Sequence, residues 1–268
     1  MGGRMTELPS YATLLLERRG RCLTITMNRP EVLNAFASEM HGEMIAALAF
    51  AGSDPDSDVI VLTGAGRAFS AGGDLEQMER VIAEPGLFEA EAANAKRLIF
   101  TLLDIEKPLV ARINGPAVGL GATLALFCDV SFAAESARIG DPHVSIGLVA
   151  GDGGAVIWPQ LLGFARAKEY LMTGEILTAA RATEIGLVNH AVPDAELDAR
   201  VEAFCDRLLA GATEAIRWTK VTMNLELKRI AHALMDPGLA YEALSVRSEA
   251  HKRLVGELRE KIARKSKK

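Results

Sequence analysis

Val59-Ile60-Val61-Leu62-Thr63-Gly64 opens as a β-branched apolar run, the pattern of a strand buried on both faces. Small residues follow through Ala71-Gly72-Gly73, and Asp74 then stands as N-cap for a helix carrying Leu75 and Met78. The same order returns with Leu109-Val110-Ala111-Arg112-Ile113, a glycine-rich loop over 114–121 and an apolar helix through Phe127. Small residues let backbone amides approach a ligand closely. Two strand–loop–helix units of this kind can aim two amides at one oxygen, which is how an oxyanion hole is built.

The remaining pattern places these units. Residues 13–17 and 21–27 read as strands around Arg18-Arg19-Gly20, and Asn28-Arg29-Pro30-Glu31 ends the second, because proline cannot continue a central strand. Ser38 is the predicted N-cap of a helix running to about Ala51. Residues 86–106 form a long amphipathic helix with Phe88, Ala92, Ala95, Leu98, Ile99, Leu102 and Ile105 on one stripe. Short strands are predicted over 129–134, 137–139 and 187–191, with helices over 153–162, 164–172 and 179–185. After Pro193 the period is helical over 194–210, 214–234 and 238–263, with Asp236-Pro237-Gly238 as a break. The pattern predicts an α/β core over 1–193 and a helical region over 194–268.

Bulk numbers narrow the function classes. With 49% hydrophobic and 24% charged residues, the 268-residue chain can bury a sizeable core. Thirty basic against 35 acidic residues give a net charge of −5, which argues against nucleic acid as a partner. No apolar run reaches the ~18–20 residues of a membrane span, and no early stretch has a signal peptide's order. Cys22, Cys128 and Cys205 are far apart in sequence, so neither a disulfide framework nor a metal site is expected, and a reducing cytoplasm is the natural setting. Met1-Gly2-Gly3-Arg4-Met5-Thr6 fits the short myristoylation pattern, but a plain leader is the better reading.

Phe69-Ser70-Ala71-Gly72-Gly73-Asp74, followed by Asn114-Gly115-x-Ala117-x-Gly119-x-Gly121 and Cys128-Asp129, resembles the crotonase (enoyl-CoA hydratase/isomerase) superfamily from about Tyr11 to about Ala250. The resemblance implies a spiral of ββα repeats with a C-terminal α-helical portion that covers the acyl pocket and makes trimer or hexamer contacts. It implies an acyl-CoA substrate, with coenzyme A arriving as part of the thioester and no permanently bound cofactor. Gly73 and Leu120 then supply the oxyanion N–H groups. Ala35, Ala71, Gly72, Gly73, Asp74 and Leu75 fall at the CoA side, and Arg29 is either a phosphate contact or a solvated arginine that helps its turn.

The acid–base positions depart from the hydratase pattern. Thr123 and His143 stand where hydratases place two glutamates, so the usual carboxylate pair for adding water is missing there. Asp152, nine residues after His143, can return to the imidazole, fix its tautomer and make it a general base near neutral pH. A helix cap at Asp152 and a core histidine at 143 are the bland alternatives. Gly151-Asp152-Gly153-Gly154 also resembles the β-diketone hydrolases of the 6-oxocamphor hydrolase type, which pair a His/Asp dyad with a C-terminal glutamate matched by Glu242.

Neither glycine loop completes Gly-x-Gly-x-x-Gly, which excludes a dinucleotide fold, and no Gly-x-Ser-x-Gly elbow supports Ser70 or Ser145 as a nucleophile. Three readings result. The first is an acyl-CoA enzyme using His143, Asp152 and Glu242. The others are a cyclic β-diketone C–C hydrolase with the same dyad and an acyl-CoA-binding scaffold without turnover.

Overall fold

A computed structural model describes residues 5–266; the leader pattern at Met1–Arg4 lies outside them. The chain begins with a hairpin, β1 (Leu14–Arg19) and β2 (Cys22–Met27), which turns at Gly20 with φ +56°. Helix α1 (Ser38–Ser53) and strand β3 (Val59–Gly64) follow, then α2 (Leu75–Ala83), α3 (Leu87–Asp104) and β4 (Leu109–Ile113). Next come the short β5 (Ala117–Val118), α4 (Leu120–Phe127), β6 (Val130–Ala134) and β7 (Arg138–Gly140). Helices α5 (Gly154–Leu162) and α6 (Phe164–Thr173) lead to β8 (Leu177–Thr178), α7 (Ala179–Glu184) and β9 (His190–Val192). Three helices close the chain: α8 (Leu197–Leu209), α9 (Thr213–Val246) and α10 (Glu249–Ser266).

The strands form two sheets, ordered β1-β2-β3-β4-β6-β9 and β5-β7-β8. From β2 onward every pairing in the first sheet is parallel. That is why all six residues of β3 are buried, its two faces both being covered. Successive turns also supply a second row of pairings: Phe36 bridges Gly73, Ser70 bridges Ala117, and β5 pairs β7. Each turn therefore lays one strand on the long sheet and one segment on the second row before its helix. This is the ββα spiral, and the two glycine loops lie on adjacent turns of it. No helix among the described residues is long and apolar enough to cross a membrane.

Three expectations are corrected, two of them at the ends of elements. Ser38 is the first helical residue of α1 rather than its cap; Ala37 holds the cap position, and the Ser38 hydroxyl turns to Glu91 at 3.4 Å. Strand β9 begins at His190, because 187–189 bend before pairing with β6. Cys22 and Cys205, distant in sequence, meet as hydrogen-bonded thiols where α8 packs on the sheet, although all three cysteines are free.

The third correction matters most for the site. Asp236-Pro237-Gly238 does not break the chain, and α9 runs through Pro237 for 34 residues. Proline removes one ladder hydrogen bond, yet Ala231, Met235, Leu239, Glu242 and Val246 still bury one helical stripe. Gly238 lies backbone to backbone against Gly151, where an added Cβ would fall 2.4 Å from Gly238 O, so a side chain at Gly151 would block the approach. Packing outweighs the local breaker, and the register it preserves carries Glu242 inward.

Candidate active site

The first glycine loop is held by its neighbours in a way that frees one amide. Phe36 N–H donates to Gly72 O at 2.7 Å and Asp74 N–H donates to Phe36 O at 2.9 Å. In such a ladder the intervening residue points its own N–H to the opposite side. Gly73 N–H finds no acceptor among the described residues. Gly72 reaches this geometry at φ +86°, and a Cβ there would lie 2.6 Å from Val118 O on the second loop. The two loops thus touch backbone to backbone.

The second loop presents Leu120 as the first residue of α4, where a helical N–H has no intrahelical partner. Gly119 N–H is taken by Gly140 O at 2.9 Å, while Leu120 N–H has no acceptor among the described residues. A Cβ at Gly119 would meet His143 Cε1 at 3.5 Å, so the imidazole packs beside the second free amide.

His143 starts a short 3₁₀ turn after β7. Its Nδ1 is hydrogen-bonded to Asp141, and its Nε2 faces Asp152 Oδ2 at 3.5 Å. Sequence reading pairs the ring with Asp152 alone and misses Asp141. The signal for it was the Asp-x-His spacing, which puts both side chains at the head of the same turn. Burial alone would push the imidazole down, but the charges of Asp141 and Asp152, with Glu242 beyond, hold it well above the ordinary histidine range. The surroundings of His143 thus favour its protonated form.

Burial pushes the Asp152 carboxyl up, with the His143 charge opposing. Asp152 lies just ahead of α5, whose Gly154 amide also favours the charged form, while the formal cap is Gly153. Burial and the neighbouring Asp152 push Glu242 up to about 8. One oxygen each of Asp141, Asp152 and Glu242, and the Thr123 hydroxyl, are buried with no protein partner. Leaving such an atom unbonded costs about 1–3 kcal/mol, so these are positions where a substrate or water oxygen bonds favourably. Ligand atoms of Asp141, His143 and Asp152 lie within 4.8 Å of one another. Both ring nitrogens already face carboxylates, so a cation there would compete with the imidazolium proton.

All five expected catalytic residues (Gly73, Leu120, His143, Asp152 and Glu242) line one largely apolar cavity of ≈ 700 Å³, part of it open. All seven expected CoA-side residues (Arg29, Ala35, Ala71, Gly72, Gly73, Asp74 and Leu75) line a larger outer cleft of ≈ 2160 Å³. The cavity and the cleft share Gly73, Asp74, Met78 and His143. Arg29 is committed in part, its Nη1 donating to Ala35 O at 2.7 Å and Asp74 Oδ2 at 3.0 Å. Asp74 in turn caps α2 by accepting from Glu76 and Gln77 N–H. Arg67 on the loop and Lys261 on α10 add positive charge to the same cleft.

A sequence model of the enoyl-CoA hydratase/isomerase family matches residues 17–246. The chain belongs to this family. It is 33% identical over 233 residues to the probable enoyl-CoA hydratase of Mycobacterium tuberculosis, covering 87% of this chain and 88% of that one. It is 34% identical over 217 residues to the crotonyl-CoA hydratase of Syntrophomonas wolfei, covering 80% and 82%. The crystal structure of an enoyl-CoA hydratase/isomerase from Mycobacterium paratuberculosis superposes with a TM-score of 0.88 at 34% identity, over 94% of this chain and all of that one. Membership of the hydratase/isomerase family establishes the chain as one of an enzymatic group with the crotonase fold.

Proposed function

We propose that the protein acts on an α,β-unsaturated acyl-CoA through a thioester enolate, adding water or shifting the double bond. The observation that carries this is the pair of unpartnered amides, Gly73 and Leu120, where the outer cleft meets the apolar cavity. The cleft takes the CoA portion, with Arg29, Arg67 and Lys261 toward its phosphates. The acyl chain enters the cavity, and the two amides hold the thioester oxygen. Each such donor contributes roughly 3 kcal/mol of transition-state stabilisation.

The acid–base pair absent at positions 123 and 143 is supplied instead by Asp152 and Glu242. Asp152 takes a proton from water as the water oxygen bonds to the β-carbon and the π pair moves onto the thioester oxygen. Glu242, neutral below about 8, then gives its proton to the α-carbon. The proton left on Asp152 returns to Glu242 to complete the cycle. The His143 imidazolium, fixed by Asp141, keeps Asp152 ionised and places positive charge beside the enolate. Without water, the same two carboxyls move a proton from one carbon to another. No permanently bound cofactor is needed, since coenzyme A arrives as part of the substrate.

The helices after residue 193 serve as the pocket's cover, contributing Leu239, Glu242, Val246 and His251 to the cavity. Trp218, Met223 and Leu225 are exposed along α9, and they suit contact with further copies in a trimer or hexamer. Three free thiols suit the cytoplasm.

Calorimetric titration with crotonyl-CoA, followed by proton NMR in heavy water, tests the reading; binding with hydration or α-proton exchange is expected. Binding without chemistry would favour a scaffold. No affinity for CoA esters would favour a β-diketone hydrolase, a reading supported by the meeting of His143, Asp152 and Glu242 in one cavity.

A pH profile follows from the same assignment. Glu242 donates only while protonated, so kcat falls above about 8, roughly tenfold per pH unit. In Glu242→Gln this alkaline limb disappears and the plateau is lower. Persistence of the limb in the variant would remove Glu242 from the donor role.

A further inference from the structure

The acyl cavity is not apolar throughout. His41 on α1 and His251 on α10 both line it, from opposite ends of the sequence, and neither is used by the chemistry above. His41 Nδ1 contacts Ala37 O at 3.1 Å and His251 Nδ1 contacts Ile146 O at 2.6 Å. A carbonyl can only accept, so in both rings Nδ1 carries the hydrogen. Burial pushes both imidazoles below the ordinary range, so they stay neutral. In a neutral ring with Nδ1–H, Nε2 is a lone-pair acceptor. Neither Nε2 has a protein partner among the described residues, although His251 is only 1% exposed.

Glu91 lines the same cavity and is also an acceptor. It binds Gln77 and Ser38 through Oε1, leaving Oε2 without a hydrogen bond among the described residues. Gln77 also lines the cavity, but its amide donates to Glu91, so the three acceptors beside Phe36, Val81, Phe88 and Val246 favour a ligand that brings a donor of its own. A plain alkyl tail would leave buried lone pairs unbonded. A carboxylate tail would meet lone pairs and negative charge.

We propose that the acyl group taken by this cavity carries a hydroxyl on the tail beyond the reacting carbons, and that this hydroxyl donates its one hydrogen to Nε2 of His41 or of His251. This rests on the acyl-CoA reading and names the substrate class within it. A site built to bond a substrate hydroxyl discriminates strongly against the analogue lacking it. The proposal predicts that kcat/KM favours the hydroxylated ester over its length-matched alkyl counterpart by at least about tenfold per bonded acceptor.

The test uses the full-length protein and paired medium-length α,β-unsaturated acyl-CoA esters, with and without a terminal hydroxyl. The variants are His41→Asn and His251→Asn. Asparagine Nδ2–H can still donate to the Ala37 or Ile146 carbonyl, while the Nε2 acceptor is deleted, so the local fold is kept. The expected result is a wild-type preference for the hydroxylated ester that drops about tenfold or more in one of the two variants, the one that loses the bonded acceptor. Turnover of both esters at equal kcat/KM, or a preference unchanged in both variants, would overturn the proposal while leaving the acyl-CoA reading intact. Absence of binding by either ester would overturn both.

Discussion

Asp152→Asn lowers kcat by about 10²–10⁴-fold, the scale for loss of a positioned general base. The amide keeps the shape of the carboxylate and cannot take the proton from water. His143→Ala falls at least a hundredfold for a linked reason. Burial raises the Asp152 carboxyl, and the imidazolium is the main influence opposing that rise. With the cation gone, the balance shifts toward the protonated form of Asp152, and less of the base is present. The double variant falls no further than the larger single loss, because residues that act as a unit are not additive. Both variants bind CoA esters as the parent does, since the outer cleft keeps every other lining residue. Steady-state kinetics beside calorimetric titration check this, and parental kcat in either variant would remove the residue from the mechanism.

Gly72→Ala produces the second large loss, about 10²–10³-fold in kcat, with measurable loss of stability. The new Cβ would sit at φ +86° and 2.6 Å from Val118 O, so the backbone has to move. That movement turns the Gly73 amide and separates the two loops. Gly73→Ala is the informative contrast. There the obstacle is Met78 Cε at 2.7 Å, the far end of a flexible side chain, and φ is ordinary. Kinetics and urea melts of the two variants therefore diverge, with Gly73→Ala much closer to the parent. Equal behaviour would mean that the loop contact does not set the amide.

Much of the site was legible because it is written in local pattern. The buried run of β3, the glycine loop and the Asp74 cap follow one another within a few residues, so pattern alone located the loop. The resemblance then supplied Gly73 and Leu120 as the two amides, and the outer cleft. Other features depend on contacts between distant segments. Pro237 reads as a break, and only the contact of Gly238 with Gly151 shows why α9 continues and where Glu242 is delivered.

Protonation was the least legible property. The spacing of His143 and Asp152 suggests a dyad with a neutral base, whereas the ring lies between two carboxylates that favour its protonated form. A sequence carries charge signs but not the burial that sets their weight. His41 and His251 passed unread for a similar reason: on α1 and α10 they are isolated histidines, and only the fold brings them to one cavity.

In the proposed reaction the two backbone amides at Gly73 and Leu120 stabilise a thioester enolate. Acetoacetyl-CoA tests it directly, because its enolate has an ultraviolet absorption that its keto form lacks. Titrating the protein with this ester at neutral pH is expected to raise the enolate band in saturable fashion, with the band lost in Gly72→Ala. Saturable binding without the band, or a band unchanged in Gly72→Ala, would contradict the account.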